Sequence, residues 1–243
     1  MVIPCRDRAD LLRACLEAVV AQPESLLGEV VVVDASDGGE VAAVVRDFPR
    51  VRHLAAGAQV LPGPARNLGA AATADPFLAF LDADCRPAPA WLGAAAETLA
   101  TPGARMVGGP VLDARPGHPV AAAAHFLQNA ERGPGRPAGA APYLPGPNLA
   151  MRRAAFQAVG PFVDRAAEDY LLTRTAAVRW PVHGRSSPSL FSIVDLGGIR
   201  GGRARAAEPQ AGSSDGRRAG VSESRALAPT CVSQGPIRIH ALE

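Results

Sequence analysis

Acidic side chains stand where two short apolar runs of this 243-residue chain end. Asp82 and Asp84 follow the run Phe77–Leu81, and Asp34 closes the run that begins at Glu29. Two carboxylates separated by one residue can converge on one hard cation, which keeps its other positions for water and substrate phosphates. The chemistry that such a site favours is departure of a diphosphate, whose developing charge the cation neutralises. Aspartate pairs are also common in turns and at helix N-termini, so the pair alone leaves both interpretations open.

Short apolar runs alternate with segments of helical spacing over the first 110 residues. The run Glu29–Asp34 is dominated by valine and is too short for a helix, which favours a strand buried on both faces. Apolar residues recur at helical spacing before it, at Leu12, Cys15, Leu16, Val19 and Val20. Strands are predicted at Met1–Ile3, Glu29–Asp34, Val51–Leu54, Pro76–Leu81 and Met106–Val107, with helices between them. This alternation predicts an α/β fold with a Rossmann-like, mostly parallel sheet and helices on both faces.

Predicted strand ends would bring the polar residues to one edge of that sheet. In an open parallel sheet, ligands bind outside the carboxyl ends of the strands. Pro4, Asp34 and Asp82 all stand at such ends. We therefore expect them to border one binding site.

The alternation of apolar runs and helical segments changes after residue 110. We therefore divide a predicted folded body at 1–195 into halves at 1–110 and 111–195. In the second half, patterns favour a helix at Val120–Glu131, a loop at Gly133–Pro147, a strand at Asn148–Met151, and helices at Arg153–Val159 and Ala166–Ala177. Residues 196–243 are rich in Gly, Arg, Ala and Ser and have no apolar period. Such a segment buries too little apolar surface to offset its ordering entropy, so a disordered tail is predicted.

Composition excludes several classes of protein. All 25 Lys+Arg residues are arginine, which excludes a P-loop and a Schiff-base lysine. The longest apolar runs fall far short of the roughly 18–20 residues of a membrane span. Seven arginines and four acids follow residue 196, so the rest of the chain is nearly neutral. That part shows no stripe of arginines of the kind that binds nucleic acid. The four cysteines lack the spacing of a metal site, and the sequence shows no leader pattern. We therefore expect a cytoplasmic protein with reduced thiols. Peripheral association with a membrane stays open.

Six sequence blocks together resemble family 2 glycosyltransferases. The blocks are VIPCRDR at 2–8, VVVDASDG at 31–38, GPARNLG at 63–69, FLDADCRP at 80–87, GPNLAMRRAAFQAVGPF at 146–162 and AED at 167–169. Their order and spacing make the resemblance specific. It implies the GT-A fold and an inverting, hexosyltransferase-type enzyme that uses a nucleotide-sugar donor, most often a UDP-sugar.

The resemblance also implies roles on the donor side. Pro4 would line the nucleotide pocket through backbone groups, and Asp34 would accept a hydrogen bond from the base. Arg66 would lie near the nucleotide and support the loop of the two aspartates. Asp82 would approach the ribose, and Asp84, with Asp82, would hold a Mg²⁺ or Mn²⁺ ion on the diphosphate.

On the acceptor side, the resemblance implies that Asp169 is the base that deprotonates an acceptor hydroxyl. Glu168 would position the acceptor or tune its neighbour, since adjacent carboxylates repel and can raise one pKa. The acceptor is a glycan, a lipid or a small molecule, and the sequence does not distinguish these. Both acids would also be favoured at a helix N-terminus without any catalysis, Asp34 could be a simple cap, and Arg66 could be a plain surface arginine.

Two other functions stay open at this point. A catalytically impaired homologue that only binds nucleotide is favoured by the short first strand and by a Glu-Asp block one residue short of the family pattern, which puts Arg174 out of register. The family's frequent second aspartate is also replaced, by Ala35. A sugar-phosphate nucleotidyltransferase is the other alternative, although the segment CRDRADLL has no glycine where those enzymes carry a Gly-rich loop.

Overall fold

The computed structural model describes residues 1–58, 60–114, 117–129, 139–184 and 193–195, which all lie within one compact unit, Met1–Gly201. The strands are β1 Val2–Cys5, β2 Val30–Asp34, β3 Val51–Ala55, β4 Phe77–Phe80, β5 Cys85–Pro87, β6 Met106–Gly108, β7 Val111–Asp113, β8 Gly139–Ala140, β9 Leu149–Arg152, β10 His183–Gly184 and β11 Ile193–Asp195. The helices are α1 Ala9–Val20, α2 Glu40–Arg46, α3 Pro62–Ala71, α4 Trp91–Ala100, α5 Pro119–Asn129, α6 Arg153–Val159 and α7 Glu168–Arg179. The predicted tail at 196–243 lies outside the described residues.

Within the described residues, one large sheet has the strand order β3-β2-β1-β4-β9-β6-β10-β8. Strands β1 to β4 pair in parallel, whereas β9 runs antiparallel to both β4 and β6. A second sheet has the order β5-β11-β7. The mostly parallel α/β architecture predicted from the sequence is confirmed. The parallel strands place the carboxyl ends of β1, β2 and β4 at one edge.

The apolar core lies on both faces of the sheet, as the valine run predicts. All five residues of β2 are buried, with Val30 and Val32 on one face and Val31 and Val33 on the other. Helices α1, α2 and α4 cover the first face, and α3, α6 and α7 cover the second. Burying an aliphatic side chain of this size stabilises the fold by roughly 1.5–3 kcal/mol, so β2 fixes the centre of the unit.

Predictions for three positions were wrong: the start of α7, the burial of Val20 and the structure at Asn148. Helix α7 begins at Glu168 rather than Ala166, because Ala167 has a left-handed φ of 62° that a helix cannot include. Val20, expected on the apolar face of α1, is 37% exposed at the end of that helix. Asn148, expected in a strand, closes a 3₁₀ turn.

The segment predicted as a loop at 133–147 is described only from residue 139. That part contains β8 and the start of the same 3₁₀ turn, Gly146–Asn148. Strands β5 and β7 were not predicted, because both pair with β11, which lies far along the chain. None of the helices in the described residues has the length and apolar character that crossing a bilayer requires.

Candidate active site

The loops after β1 and β2 are tied together at the carboxyl edge of the sheet. The backbone N–H of Asp7 donates to Ser36 Oγ at 2.9 Å, and the N–H of Ser36 donates to Asp34 Oδ1 at 3.0 Å. Asp7 has a φ of 52°, a left-handed conformation that is strained for a residue other than glycine. Strand pairing places Cys5 opposite Asp34, and Pro4 one position earlier. These contacts hold Pro4 and Asp34 in one fixed wall.

Asp34 is bound by a residue that the sequence did not single out. Its Oδ2 lies 2.8 Å from His53 Nε2, and the Asp34 side chain is buried whereas that of His53 is partly exposed. His53 belongs to the neighbouring strand β3, two residues before the one that pairs with Asp34. The Asp34 carboxylate therefore fixes the position of the partly exposed His53 ring beside this wall.

Arg66 joins three separate parts of the chain at the centre of the site. Its Nη2 donates to Asp82 Oδ1 at 2.6 Å, and its Nη1 donates to Glu168 Oε1 at 2.5 Å. The guanidinium carbon lies 5.5 Å from the centroid of the Phe162 ring. Only 3% of the Arg66 side chain is exposed, and its Nε has no hydrogen-bond partner among the described residues. A plain surface arginine, one interpretation of the sequence, is therefore excluded.

The charges around Arg66 are unequal. Burial lowers the pKa of the Arg66 guanidinium, but Asp82, Glu168 and Asp169 raise it more, so that pKa lies above its usual range. One cation faces three carboxylates, which makes the cluster acidic overall. Charged groups buried together in this way require compensation from a partner or a metal.

Asp82 and Asp84 are both buried in the loop between β4 and β5. Burial, helped by Asp34 and Asp84, raises the pKa of the Cys5 thiol to about 12. Burial raises the pKa of the Cys15 thiol in the same way, with a contribution from Asp84. Mg²⁺ and Mn²⁺ prefer oxygen to sulfur, so the carboxylates of the two aspartates are the ligands here that suit such a cation.

The donor set fits a divalent cation of the oxygen-binding type. In the described part of the chain, no group of three or more His, Cys, Asp or Glu side chains is arranged to hold a metal ion. Two carboxylates match Mg²⁺ or Mn²⁺, which usually keep waters and substrate phosphates as their other ligands.

The N-terminus of α7 lies against the 3₁₀ turn before β9. Asp169 Oδ2 accepts a hydrogen bond from the Gly146 N–H at 2.7 Å, in the first turn of α7. A Cβ atom at Gly146 would lie 3.0 Å from Asp169 Cβ and 3.1 Å from Arg66 Nη2, so a larger residue would have to displace these side chains by a few tenths of an ångström. The strained residue Ala167 immediately precedes Glu168. The geometry aims two carboxylates at the cluster from one helix N-terminus, where negative charge is stabilised.

Arg66, Asp82, Glu168 and Asp169 thus form one contiguous cluster, and Pro4 and Asp34 form the wall beside it. Asp84 follows Asp82 by two residues and is buried in the same loop after β4. The sequence reasoning gave no individual role to three contributors: His53, Gly146 and Phe162. The available signals were a polar residue within a strand at His53 and the block at 146–162, which begins with Gly146 and ends with Phe162.

Comparisons with known proteins bear on the family and the fold of the chain. Residues 1–160 match the family described as Glycosyl transferase family 2. The chain is 33% identical over 117 residues to Glycosyltransferase AglE of Haloferax volcanii, a stretch that is 46% of this chain and 38% of that protein.

Two solved structures share the fold. The mannosyltransferase PcManGT from Pyrobaculum calidifontis, in complex with GDP-Man and Mn²⁺, has a TM-score of 0.60 and 23% identity over 82% of this chain and 57% of its own. S. aureus TarS 1-349 in complex with UDP-GlcNAc has a TM-score of 0.59 and 17% identity over 79% of this chain and 57% of its own. The chain therefore spans less than two thirds of the length of each of these relatives.

Proposed function

Because the chain belongs to glycosyltransferase family 2, we propose that it transfers a sugar from a nucleotide-diphosphate sugar to an acceptor hydroxyl. The observation that carries this proposal is the cluster around Arg66. Through two ion pairs, Arg66 links Asp82, which follows β4, to Glu168, which opens α7. A donor group and an acceptor group would meet at such a junction.

The donor would lie along the carboxyl edge of β1, β2 and β4. Backbone groups at Pro4 would border the base, Asp34 would accept a hydrogen bond from it, and Asp82 would approach the ribose. His53 adds a ring nitrogen beside Asp34 that can reach the same base. A UDP-sugar is the favoured donor, and a GDP-sugar is the second donor to test, since PcManGT was solved with GDP-Man.

Asp84 and Asp82 would hold a Mg²⁺ or Mn²⁺ ion at this edge. When bound, the cation would neutralise the charge that develops on the departing diphosphate. The chain has no lysine to share that task, so arginine is its only strongly basic side chain. The acidic cluster described above supports a cation at this position.

Asp169 would act as the base. Its carboxylate would take the proton of the acceptor hydroxyl while the hydroxyl oxygen forms a bond to the anomeric carbon. The bond from that carbon to the diphosphate oxygen breaks, with its electron pair leaving on the diphosphate. A single displacement of this kind inverts the anomeric configuration. Glu168 is paired with Arg66, which leaves Asp169 as the carboxylate suited to proton transfer.

Calorimetric binding of UDP and of GDP, with and without Mn²⁺, tests the proposal. We expect wild-type protein to bind one of them at least tenfold more tightly with Mn²⁺, and Asp84→Ala to lose that difference. Asp47→Ala is the matched control, because Asp47 is an exposed carboxylate paired with Arg13 away from the site. Binding without donor turnover would favour the nucleotide-only homologue, and no nucleotide binding would overturn the proposal.

A further inference from the structure

The two ion pairs of Arg66 connect parts of the chain that are far apart in sequence. Asp82 is 16 residues from Arg66, and Glu168 is 102 residues away. The guanidinium therefore links the loop after β4 physically to the start of α7.

Burial makes this link rigid. The exposed fractions of the Arg66, Asp82 and Glu168 side chains are 3%, 11% and 12%. Charge-assisted hydrogen bonds of this length, shielded from solvent, are about twice as strong as neutral ones. Phe162 packs against the guanidinium as well. Arg66 has little room to rotate, and moving either carboxylate would disturb the other.

Direct contact of Arg66 with a nucleotide is disfavoured by the same geometry. Both terminal nitrogens are occupied by carboxylates, and almost none of the side chain is exposed. A ligand would have to displace a buried ion pair to reach them. The remaining role for this side chain is to position the groups it holds.

We propose that Arg66 is a positioning residue that couples the donor side of the site to the acceptor side. It orients Asp82 and Glu168 together, so that a change at Asp82 is transmitted to the first turns of α7, where Asp169 lies. The terms donor side and acceptor side rest on the proposed function. The mechanical coupling itself rests only on the two ion pairs.

Amide hydrogen exchange in the absence of ligand tests the coupling. Asp82→Asn weakens the ion pair with Arg66 Nη2 and leaves every α7 side chain unchanged, and we expect exchange of the α7 amides at 171–176 to rise about tenfold. Arg66→Lys keeps the charge but offers one nitrogen centre instead of a fork, so it should produce a similar rise. The double variant should exceed the larger single effect by less than about threefold, because both changes break one network.

The matched control is Arg153→Lys. Arg153 is also a partly buried arginine with several contacts, but these go to Asp75, Ala70 and Thr73, away from the site. This variant should leave α7 exchange within about twofold of wild type. If Asp82→Asn leaves α7 unchanged while Arg66→Lys loosens it, Arg66 is only an anchor for α7 and the coupling is refuted.

A kinetic readout separates positioning from mere support. Glu168→Gln leaves the Arg66–Asp82 pair in place, so the affinity for UDP with Mn²⁺ should stay within about twofold of wild type. Its kcat should fall at least tenfold, because the neighbouring base is no longer oriented. Equal losses of affinity and kcat would contradict the proposal. If α7 exchange responds to Asp82→Asn but no nucleotide binds, the proposed function is wrong and the coupling stands. If nucleotide binds but α7 exchange does not respond to Asp82→Asn, only the coupling is wrong.

Discussion

Gly146 offers a steric test of the position of Asp169. The residue lies in a 3₁₀ turn with a φ outside the left-handed region, so alanine is compatible with its backbone. The added Cβ would lie 3.0 Å from Asp169 Cβ and 3.2 Å from Asp169 Oδ2. Carbon atoms pack at about 3.5–4.0 Å, so Gly146→Ala must push the Asp169 side chain away by roughly 0.5 Å.

The size of the effect follows from that displacement. A misplacement of about 1 Å at a reacting group can cost about 100-fold in rate, so half of it predicts a loss of about tenfold, or about 1.4 kcal/mol of transition-state stabilisation. Overpacking at one position costs typically about 1–3 kcal/mol of stability, which a domain stable by about 5–15 kcal/mol survives. The variant should therefore fold and still bind nucleotide.

Release of nucleotide from UDP-sugar or GDP-sugar donors in the presence of Mn²⁺ measures this effect. We expect Gly146→Ala to lower kcat about tenfold and to leave the donor KM within about threefold of wild type. Gly93→Ala is the matched control, because a Cβ at Gly93 in α4 would meet no atom within 4 Å. An unchanged kcat in Gly146→Ala, or an equal loss in Gly93→Ala, would refute the placement of Asp169 in the reaction.

Three further outcomes can be measured. Ala167→Gly should raise the free energy of unfolding by about 1 kcal/mol, because glycine relieves the left-handed φ of 62°, whereas Ala177→Gly inside α7 should lower it by about as much. Loss of stability in both variants, measured by denaturant titration, would show that Ala167 is not strained. With a pKa of about 12, the Cys5 thiol of the folded protein should resist alkylation at pH 8, and rapid labelling located by mass spectrometry would contradict this. The contribution of Cys5 to the free energy of unfolding should fall as pH rises from 9 to 12, because the thiol of the unfolded chain loses its proton first. His53→Ala should weaken UDP or GDP binding about three- to tenfold, because the Asp34 carboxylate loses the ring that holds it in place. Equal affinity in calorimetry would remove His53 from the base pocket.

Local patterns predicted the parts of the fold that single segments determine. The valine run of β2 predicts a strand buried on both faces, and the α6 bounds Arg153–Val159 match the prediction. The three-residue strands β5 and β7 escaped, because their pairing partner β11 lies far along the chain and local propensity carries no record of it. Strand order depends on such long-range pairings.

The candidate site shows the same division. The residue types at Asp34, Asp82, Asp84 and Asp169 could be picked out from the sequence, and the structure places Asp82 and Asp169 at one cluster. That Arg66 bridges Asp82 and Glu168 could not be predicted, because an ion pair across 102 residues leaves no local pattern. Whether the four aspartates carry the proposed roles stays a prediction.

Donor turnover by Asp169→Asn tests the central claim most directly. The substitution removes the proposed base while keeping an oxygen that can accept the Gly146 N–H. The account predicts that nucleotide release falls at least about 100-fold relative to wild type, while the affinity for the nucleotide with Mn²⁺ stays within about threefold. Turnover within about threefold of wild type would contradict the assignment of Asp169 as the base.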